Sequence, residues 1–251
     1  LLFRSAELAL QTGDTGHAEA CLQESLEEVP DHPPTLALLE RILRDRGDDL
    51  GIIDLLRRRL QRAGDPAQRL SLHLEILYRL LALGELEQAL AEVDLVLQTW
   101  PEHLSTLHTG ERLAAALGRT EALLNYLARH FELSRGQKAR ALLIYRAALV
   151  RASDPAGAWA DPGQAAQATA ELRRALAQWP TLGGGWTTLL EHCTATGDLA
   201  ELKIAARGAL AHERGPGNRQ AAALLLAELA DAPAVGVQYL EAAADARPKD
   251  L

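Results

Sequence analysis

Five glycines recur through the chain at intervals close to the length of one helix pair. Gly13, Gly47, Gly84 and Gly118 are separated by 34, 37 and 34 residues, and Gly197 follows 79 residues later, an interval that fits one unit of 34 and one of 45. Each glycine stands where one apolar helical pattern ends and another begins. Glycine accepts the left-handed conformation that ends a helix and lets the chain reverse. The spacing therefore predicts a row of antiparallel helix pairs, which we call hairpins.

The composition favours helix throughout. Of 251 residues, 48% are hydrophobic but only 4% are aromatic, and methionine is absent. Alanine, leucine, arginine and glutamate dominate, and all four are strong helix formers. The chain exceeds the usual size of one compact domain, so either two domains or an elongated array is expected. The predicted fold class is all-α.

The second helix of each hairpin carries a small or apolar residue five positions after the turn glycine. This is where the two helices are expected to approach most closely, and small residues permit such an approach. Two hairpins lack a clear turn glycine, and in these the same register predicts Ala168 and Gly236. The seven positions, four of them alanine or glycine, are Ala18, Ile52, Ala89, Leu123, Ala168, Leu202 and Gly236.

Prolines stand near the expected ends of the second helices, because proline cannot continue a helix. They are Pro30, Pro66, Pro101, Pro180 and Pro248. Trp100 and Trp179 directly precede two of them. We expect both rings to pack on the next hairpin.

Hairpins of about 34 residues with a turn glycine, a small residue in the second helix and a closing proline resemble tetratricopeptide repeats (TPR). The resemblance covers the whole chain and implies a single right-handed superhelical solenoid of about seven hairpins, expected to be part of a longer protein. The fourth unit lacks the proline, the seventh lacks the glycine, and the fifth carries an insertion. The predicted units are 1–31, 32–67, 68–102, 103–136, 137–181, 182–215 and 216–249.

The insertion in the fifth unit is SDPAGAWADPGQ, residues 153–164. Its two prolines and two glycines break any helical pattern, which predicts a loop protruding between two helices. Trp159 is its one large apolar side chain. Either this ring folds back on a neighbouring helix or it is an exposed anchor for a partner.

The sequence has none of the common signatures of catalysis or metal binding. GxGxxG, GxxxxGK, HExxH and GxSxG are all absent. Cys21 and Cys193 have no second cysteine nearby, and His103 and His108 lie five apart, on different faces of a helix. The three glycines before Trp186 are not followed by the lysine of a phosphate loop and indicate a turn. We therefore predict no enzyme activity, no catalytic residues, no cofactor and no metal site.

The formal charge is −8, from 26 Lys and Arg against 34 Asp and Glu, which disfavours nucleic acid as a partner. The longest apolar stretch, residues 221–230, is too short to cross a bilayer, so no direct membrane insertion is expected. The two cysteines are interpreted as buried small hydrophobes, which favours a reducing compartment. The predicted location is the cytoplasm, with the periplasm as the alternative if a signal peptide was removed.

The surface lined by the first helix of each hairpin is the predicted binding site, since solenoids bind partners along such a concave groove. The predicted groove residues are Arg41, Arg44, Tyr78, His108, Arg112 and Glu191. The first five recur at the spacing of successive hairpins and form a candidate electropositive track. Such a track suits an acidic peptide or a C-terminal carboxylate, which arginine binds through two parallel hydrogen bonds. The alternative is that these are ordinary surface arginines.

A protein or peptide is the expected partner. The Lys/Asn carboxylate clamp of TPR co-chaperones is excluded, because the few asparagines and lysines do not fall at the matching positions. The leading hypothesis is a non-enzymatic protein-interaction scaffold. One alternative is a regulatory or substrate-recruiting arm of a larger multidomain enzyme. Another is a structural component of a bacterial secretion, motility or envelope assembly.

Overall fold

The computed structural model describes residues 1–152 and 162–246, and within these ranges the chain forms fourteen α-helices and no β-strand. The predicted all-α fold class is confirmed. The helices are α1 Leu2–Gln11, α2 Thr15–Glu28, α3 Pro33–Arg46, α4 Asp49–Arg62, α5 Pro66–Leu83, α6 Leu86–Thr99, α7 Leu104–Ala116, α8 Thr120–Leu133, α9 Gln137–Ala152, α10 Pro162–Gln178, α11 Gly185–Thr196, α12 Leu199–His212, α13 Pro216–Glu228 and α14 Pro233–Asp245. None of these helices is both long enough and apolar enough to cross a bilayer.

The chain divides into two compact units, Leu1–Leu117 and Gly118–Leu251. The first contains α1 to α7 and the second contains α8 to α14. Within each unit, helices pack against their neighbours in sequence. This pattern of nearest-neighbour contacts is that of a helical repeat protein. The single continuous solenoid, its right-handed superhelix and the seven unit boundaries stay predictions.

The turn glycines behave as predicted. Gly13, Gly47, Gly84, Gly118 and Gly197 all have positive φ, between 65° and 80°. A side chain at such a position would clash with its own backbone, at a cost of about 1–2 kcal/mol. Glycine is therefore required for the short connection between the two helices of these hairpins.

An aspartate follows three of these glycines and caps the next helix. Asp14, Asp48 and Asp198 each accept a hydrogen bond from the backbone N–H three residues further on, at 2.9 to 3.1 Å. An N-cap aspartate satisfies a helix donor that would otherwise be unpaired, which is worth about 1 kcal/mol. A single Gly-Asp dipeptide thus ends one helix and begins the next.

The small residues of the second helices are buried at the helix contacts, as predicted. Ala18, Ala89 and Ala168 have no exposed surface. Ile52, Leu123, Leu202 and Gly236 are also buried. A Cβ at Gly236 would lie 3.5 Å from the carbonyl oxygen of Ala227 on α13. These are features that the resemblance to tetratricopeptide repeats implies.

The prolines divide into two roles. Pro30, Pro101 and Pro180 follow α2, α6 and α10 by two residues, as expected. Pro66 differs, because it does not follow α4 but begins α5. Proline fits the first turn of a helix, where its missing N–H has no partner to lose. Pro248 lies outside the described residues.

The insertion is shorter than predicted. Helix α10 begins at Pro162, so residues 162–164 are helical rather than part of a loop, again because proline suits a first helical turn. Trp159 and residues 153–161 lie outside the described residues. The two roles considered for Trp159 therefore both stay predictions.

The core of the first unit contains a buried ionisable pair among its leucines and isoleucines. His73 on α5 and Glu92 on α6 are each 6% exposed, and their Nδ1 and Oε1 atoms are 2.5 Å apart. The Trp100 ring lies edge-on to His73, with ring centres 6.0 Å apart. This ring contact of Trp100 lies within its own hairpin, and packing of the ring on the next hairpin stays a prediction. The pair joins the two helices of the third hairpin, because each group is the other's hydrogen-bond partner.

The core of the second unit runs from α9 to α12. It includes Ile144, Leu172, Leu189 and Leu202, with Trp179 packed against it. Each fully buried leucine or isoleucine stabilises the fold by about 1.5–3 kcal/mol. One apolar cluster therefore supports the surfaces of α9, α10, α11 and α12.

Candidate functional site

The predicted groove residues of the first unit lie on its first helices and are exposed. Arg41 is on α3, Tyr78 is on α5, and His108 and Arg112 are on α7. The Tyr78 side chain is 61% exposed, unusually high for an aromatic residue on a packed helix. Their sequence neighbours point inward, since Ile42, Leu77 and Leu107 are each no more than 6% exposed.

A depression of about 670 Å³ lies between α1 and α3. Its walls include the apolar side chains of Phe3, Leu10 and Leu38, and its charged lining residues are Glu7 and Arg41. The structure therefore places Arg41 beside an apolar recess rather than on a uniformly polar surface. A ligand here would meet apolar contacts, a cation and an anion together.

The predicted electropositive track is weaker at Arg44. Its guanidinium forms an ion pair with Glu40, one helical turn earlier on α3, and Glu40 also lies 3.8 Å from Arg59. Opposite charges at this spacing attract each other on a helix surface. Arg44 is thus partly neutralised. The electropositive track through Arg41, Arg44, Tyr78, His108 and Arg112 stays a prediction, in which Arg44 contributes less charge because it is paired with Glu40.

A second depression, of about 480 Å³, adjoins the same helix. It lies between α3, the end of α4 and the start of α5, and Glu40, Arg59 and Arg62 contribute charges of both signs. Ala37 lines this depression and also the one beside α1. The exposed face of α3 is therefore flanked on both sides by recesses of mixed charge.

Glu191 lies in the second compact unit, exposed on α11. The structure links other first-helix residues of that unit. Thr187 Oγ1 on α11 lies 3.3 Å from Glu213 Oε1, and Asn218 Nδ2 on α13 donates to Thr187 Oγ1 at 3.3 Å. Successive first helices are connected here through polar side chains.

The two cysteines differ in their surroundings. Burial, together with the nearby carboxylates of Glu201 and Asp198, raises the pKa of the Cys193 thiol to about 11, so it is protonated at neutral pH and a poor nucleophile. Cys21 is also buried, and its Sγ lies 3.7 Å from Ser5 Oγ and 3.7 Å from His17 Nε2. Both cysteines are free thiols.

The structure reveals a cluster of cations and aromatic rings that the sequence interpretation missed. In the second unit, the guanidinium carbons of Arg140 and Arg174 lie 4.9 and 5.4 Å from the centre of the Phe131 ring. Lys138 Nζ lies 5.6 Å from the centre of the Trp179 ring. All five residues are at or near the junctions where one hairpin leads into the next.

The distribution of charge along the sequence is the signal that could have indicated this cluster. The first unit has 11 Lys and Arg against 20 Asp and Glu, whereas the second has 15 against 14. The acidic balance of the whole chain therefore comes from the first unit alone. A basic surface is compatible with the second unit even though the net charge of the chain is −8.

Neither a protein-family model nor a curated protein matches the chain. Among solved structures, it is similar to the MamA protein, with 16% identity and a TM-score of 0.47 over 70% of this chain and 91% of that one. The C-terminal part of a TPR repeat-containing protein from Cytophaga hutchinsonii has 10% identity and a TM-score of 0.47, over 99% of this chain and 96% of that one. YrrB, described as a TPR protein with an unusual peptide-binding site, has 15% identity and a TM-score of 0.36, over 72% and 86%. These similarities assign no partner to this chain.

Proposed function

We propose that this chain is a non-enzymatic scaffold that binds a protein or peptide along the first helices of its first compact unit. One observation carries the proposal. Arg41, Tyr78 and Arg112 are exposed on α3, α5 and α7, at sequence intervals of 37 and 34 residues. Side chains repeated at this interval on successive first helices suit an extended ligand that contacts several hairpins at once.

The chemistry of the recess beside Arg41 favours a ligand with both apolar and acidic groups. Phe3, Leu10 and Leu38 offer apolar surface next to the guanidinium. Among the described residues, Arg41 has no ion-pair partner, so its donors are free to bind a carboxylate with two hydrogen bonds. Glu7 in the same recess would repel a ligand of uniformly negative charge. A mixed peptide segment fits better than a purely acidic tail.

A non-enzymatic role is consistent with the state of the thiols. The high pKa of Cys193 keeps it protonated, and Cys21 lies beneath the surface of its hairpin. A nucleophilic cysteine requires an accessible thiolate. We accordingly assign the repeated geometry of the hairpins to presentation of a binding surface, not to turnover.

The test is site-specific photo-crosslinking in an extract of the source cells. Tyr78 is replaced by a photoreactive phenylalanine analogue of similar shape, which preserves an exposed aromatic ring at the centre of the proposed surface. The control carries the same analogue at Leu95, which is 46% exposed on the second helix α6. We expect a discrete crosslinked partner from the Tyr78 position and not from Leu95.

The crosslink is then repeated with Arg41→Glu and Arg112→Glu added to the labelled chain. Loss of the crosslink is expected, because both guanidinium groups would become carboxylates. Arg58→Glu with Arg207→Glu, two exposed residues on the second helices α4 and α12, makes the same change in net charge and should leave it intact. Equal labelling from Tyr78 and Leu95, or no effect of the Arg41 and Arg112 changes, would count against this surface.

A further inference from the structure

Three cations of the second compact unit lie over aromatic rings instead of beside carboxylates. Arg140 and Arg174 share the Phe131 ring, and Lys138 lies over Trp179. None of these three cations has an ion-pair partner within residues 1–152 and 162–246. An aromatic ring holds a cation in place without neutralising it. Their positive charge therefore remains available to a ligand.

Neighbouring arginines on the same helices show the contrast. Arg151 lies 3.2 Å from a carboxylate oxygen of Glu171, and Arg173 lies 2.8 Å from one of Glu201. Among the residues that the structure describes, carboxylates pair with Arg151 and Arg173, but none pairs with Arg174, the next residue along α10. Adjacent arginines on one helix have different surroundings, and only one of them is neutralised.

Two depressions flank Arg174. The first, of about 290 Å³, lies between α8 and α10 and is lined in part by Leu127 and Phe131. The second, of about 590 Å³, lies between α10 and α12 and is lined mainly by apolar side chains, including Ile204 and Trp186. Arg174 borders both. Glu132 and Glu171 also line the smaller depression, so the larger one, which is mainly apolar, is the recess that suits an apolar side chain beside Arg174.

Trp186 forms a fixed wall of the larger depression. Its indole N–H donates to the carbonyl oxygen of Pro180 at 2.7 Å, and its ring stacks on His212 with centres 5.9 Å apart. The ring also lies directly against the Cα of Gly208 on α12. A wall held from three sides loses little freedom when a ligand binds, which favours affinity.

We infer that the arginine–aromatic surface, formed by Phe131, Arg140, Arg174 and Trp186, binds an acidic peptide segment with an apolar anchor residue. The anchor side chain enters the depression between α10 and α12, and carboxylates on either side of it pair with Arg174 and Arg140. Charge-assisted pairs of this kind are roughly twice as strong as neutral hydrogen bonds. The four residues lie on α8, α9, α10 and α11 of the second unit, so this surface is additional to the proposed first-helix site of the first unit and does not depend on it.

A peptide suits this surface better than single-stranded nucleic acid. Nucleic-acid sites need ring faces that are free for bases to stack on. Here the faces of Phe131 and Trp179 are approached by cations, and Trp186 stacks on His212. An apolar recess next to uncompensated guanidinium groups matches an aliphatic or aromatic side chain flanked by Asp or Glu.

The experiment selects ligands from a phage-displayed library of random 16-residue peptides, with the full chain as bait. We expect the enriched peptides to share acidic residues around a Trp, Phe or Leu. One enriched peptide is synthesised with a fluorophore, and its Kd is measured by anisotropy. Arg140→Gln with Arg174→Gln should weaken binding at least tenfold without altering the helical circular dichroism, because glutamine keeps the length but not the charge.

Two controls make the outcome decisive. Arg4→Gln with Arg58→Gln removes two exposed arginines from the first unit, and Arg41→Glu with Arg112→Glu disables the proposed first-helix surface; both should change the Kd by less than twofold. Failure to enrich any acidic peptide, or equal binding by the Arg140 and Arg174 variant, overturns the inference. It is also overturned if a fluorescent 20-nucleotide dT oligomer binds through these arginines while no peptide does, or if sedimentation shows that they mediate self-association instead.

Discussion

Gly208 is predicted to be intolerant of even one added methyl group. It lies inside α12, where alanine is normally better than glycine by up to about 1 kcal/mol. An added Cβ, however, would stand 2.5 Å from Cη2 of Trp186 and closer still to Cζ3 and Cε3. Real Cβ atoms essentially never approach a neighbour within 3.0 Å. Either α12 or the tryptophan ring must move.

The expected magnitude follows from these opposed effects. Overpacking in a well-packed site costs about 1–3 kcal/mol, and displacement of Trp186 also removes its hydrogen bond to Pro180, worth about 1 kcal/mol. After subtraction of the gain in helix propensity, Gly208→Ala should lower the free energy of unfolding by about 1–3 kcal/mol. Urea unfolding followed by circular dichroism measures this change, and tryptophan fluorescence should show a more exposed indole.

A double-mutant cycle separates the clash from any other effect of alanine. In a Trp186→Ala background the space is open, so Gly208→Ala should stabilise the protein by up to about 1 kcal/mol. The matched control is Gly217→Ala in α13, where nothing lies within 4 Å of the added Cβ, and it should be neutral or stabilising. If Gly208→Ala is equally stabilising with and without Trp186, the reasoning is refuted.

Three further predictions concern the hairpins themselves. Glu92→Ala should destabilise the chain by about 1–3 kcal/mol, because it leaves His73 buried without its hydrogen-bond partner, and His73→Leu with Glu92→Leu should recover much of that loss in urea unfolding. Burial raises the pKa of Cys193 from 9.0 to about 11, so the unfolded chain loses the thiol proton at a lower pH than the folded chain. The free energy of unfolding should therefore fall as the pH rises from about 9 to 11. Cys193→Ala should remove that part of the pH dependence. Gly84→Ala should cost about 1–2 kcal/mol from backbone strain alone, seen as a lower thermal midpoint, since no atom lies within 4 Å of the added Cβ.

The helix pairs were predictable because their signals are local. A glycine such as Gly47 must take a positive φ wherever a helix ends in a tight turn, and Ala18 and Ala89 mark the close contacts through their small size alone. Pro66 was misplaced because proline has two compatible positions, after a helix and in the first turn of one. The sequence pattern does not distinguish these two positions. In the structure, the Asp65 carboxylate accepts a hydrogen bond from Gln68 N–H and caps α5, so Pro66 is in the first turn of that helix.

The candidate sites were less predictable because they depend on contacts between helices. The ion pair between Glu40 and Arg44 follows from their spacing of four and was available from the sequence. The sharing of Phe131 by Arg140 and Arg174 was not, since Phe131 and Arg174 are 43 residues apart. Their meeting depends on the relative rotation of α8, α9 and α10, which hydrophobic periodicity does not specify.

The Gly-Asp dipeptides have a consequence for synthesis of the chain. Because each carries both the end of one helix and the start of the next, all the information that closes a hairpin lies within about 34 residues. A ribosome adding about 5–20 residues per second takes seconds to produce that length, while helices and turns form in microseconds. Each hairpin can therefore close before the next has been translated. The apolar face of the closed hairpin stays exposed until the following helix has been synthesised. During this interval chaperones can bind the nascent chain most readily.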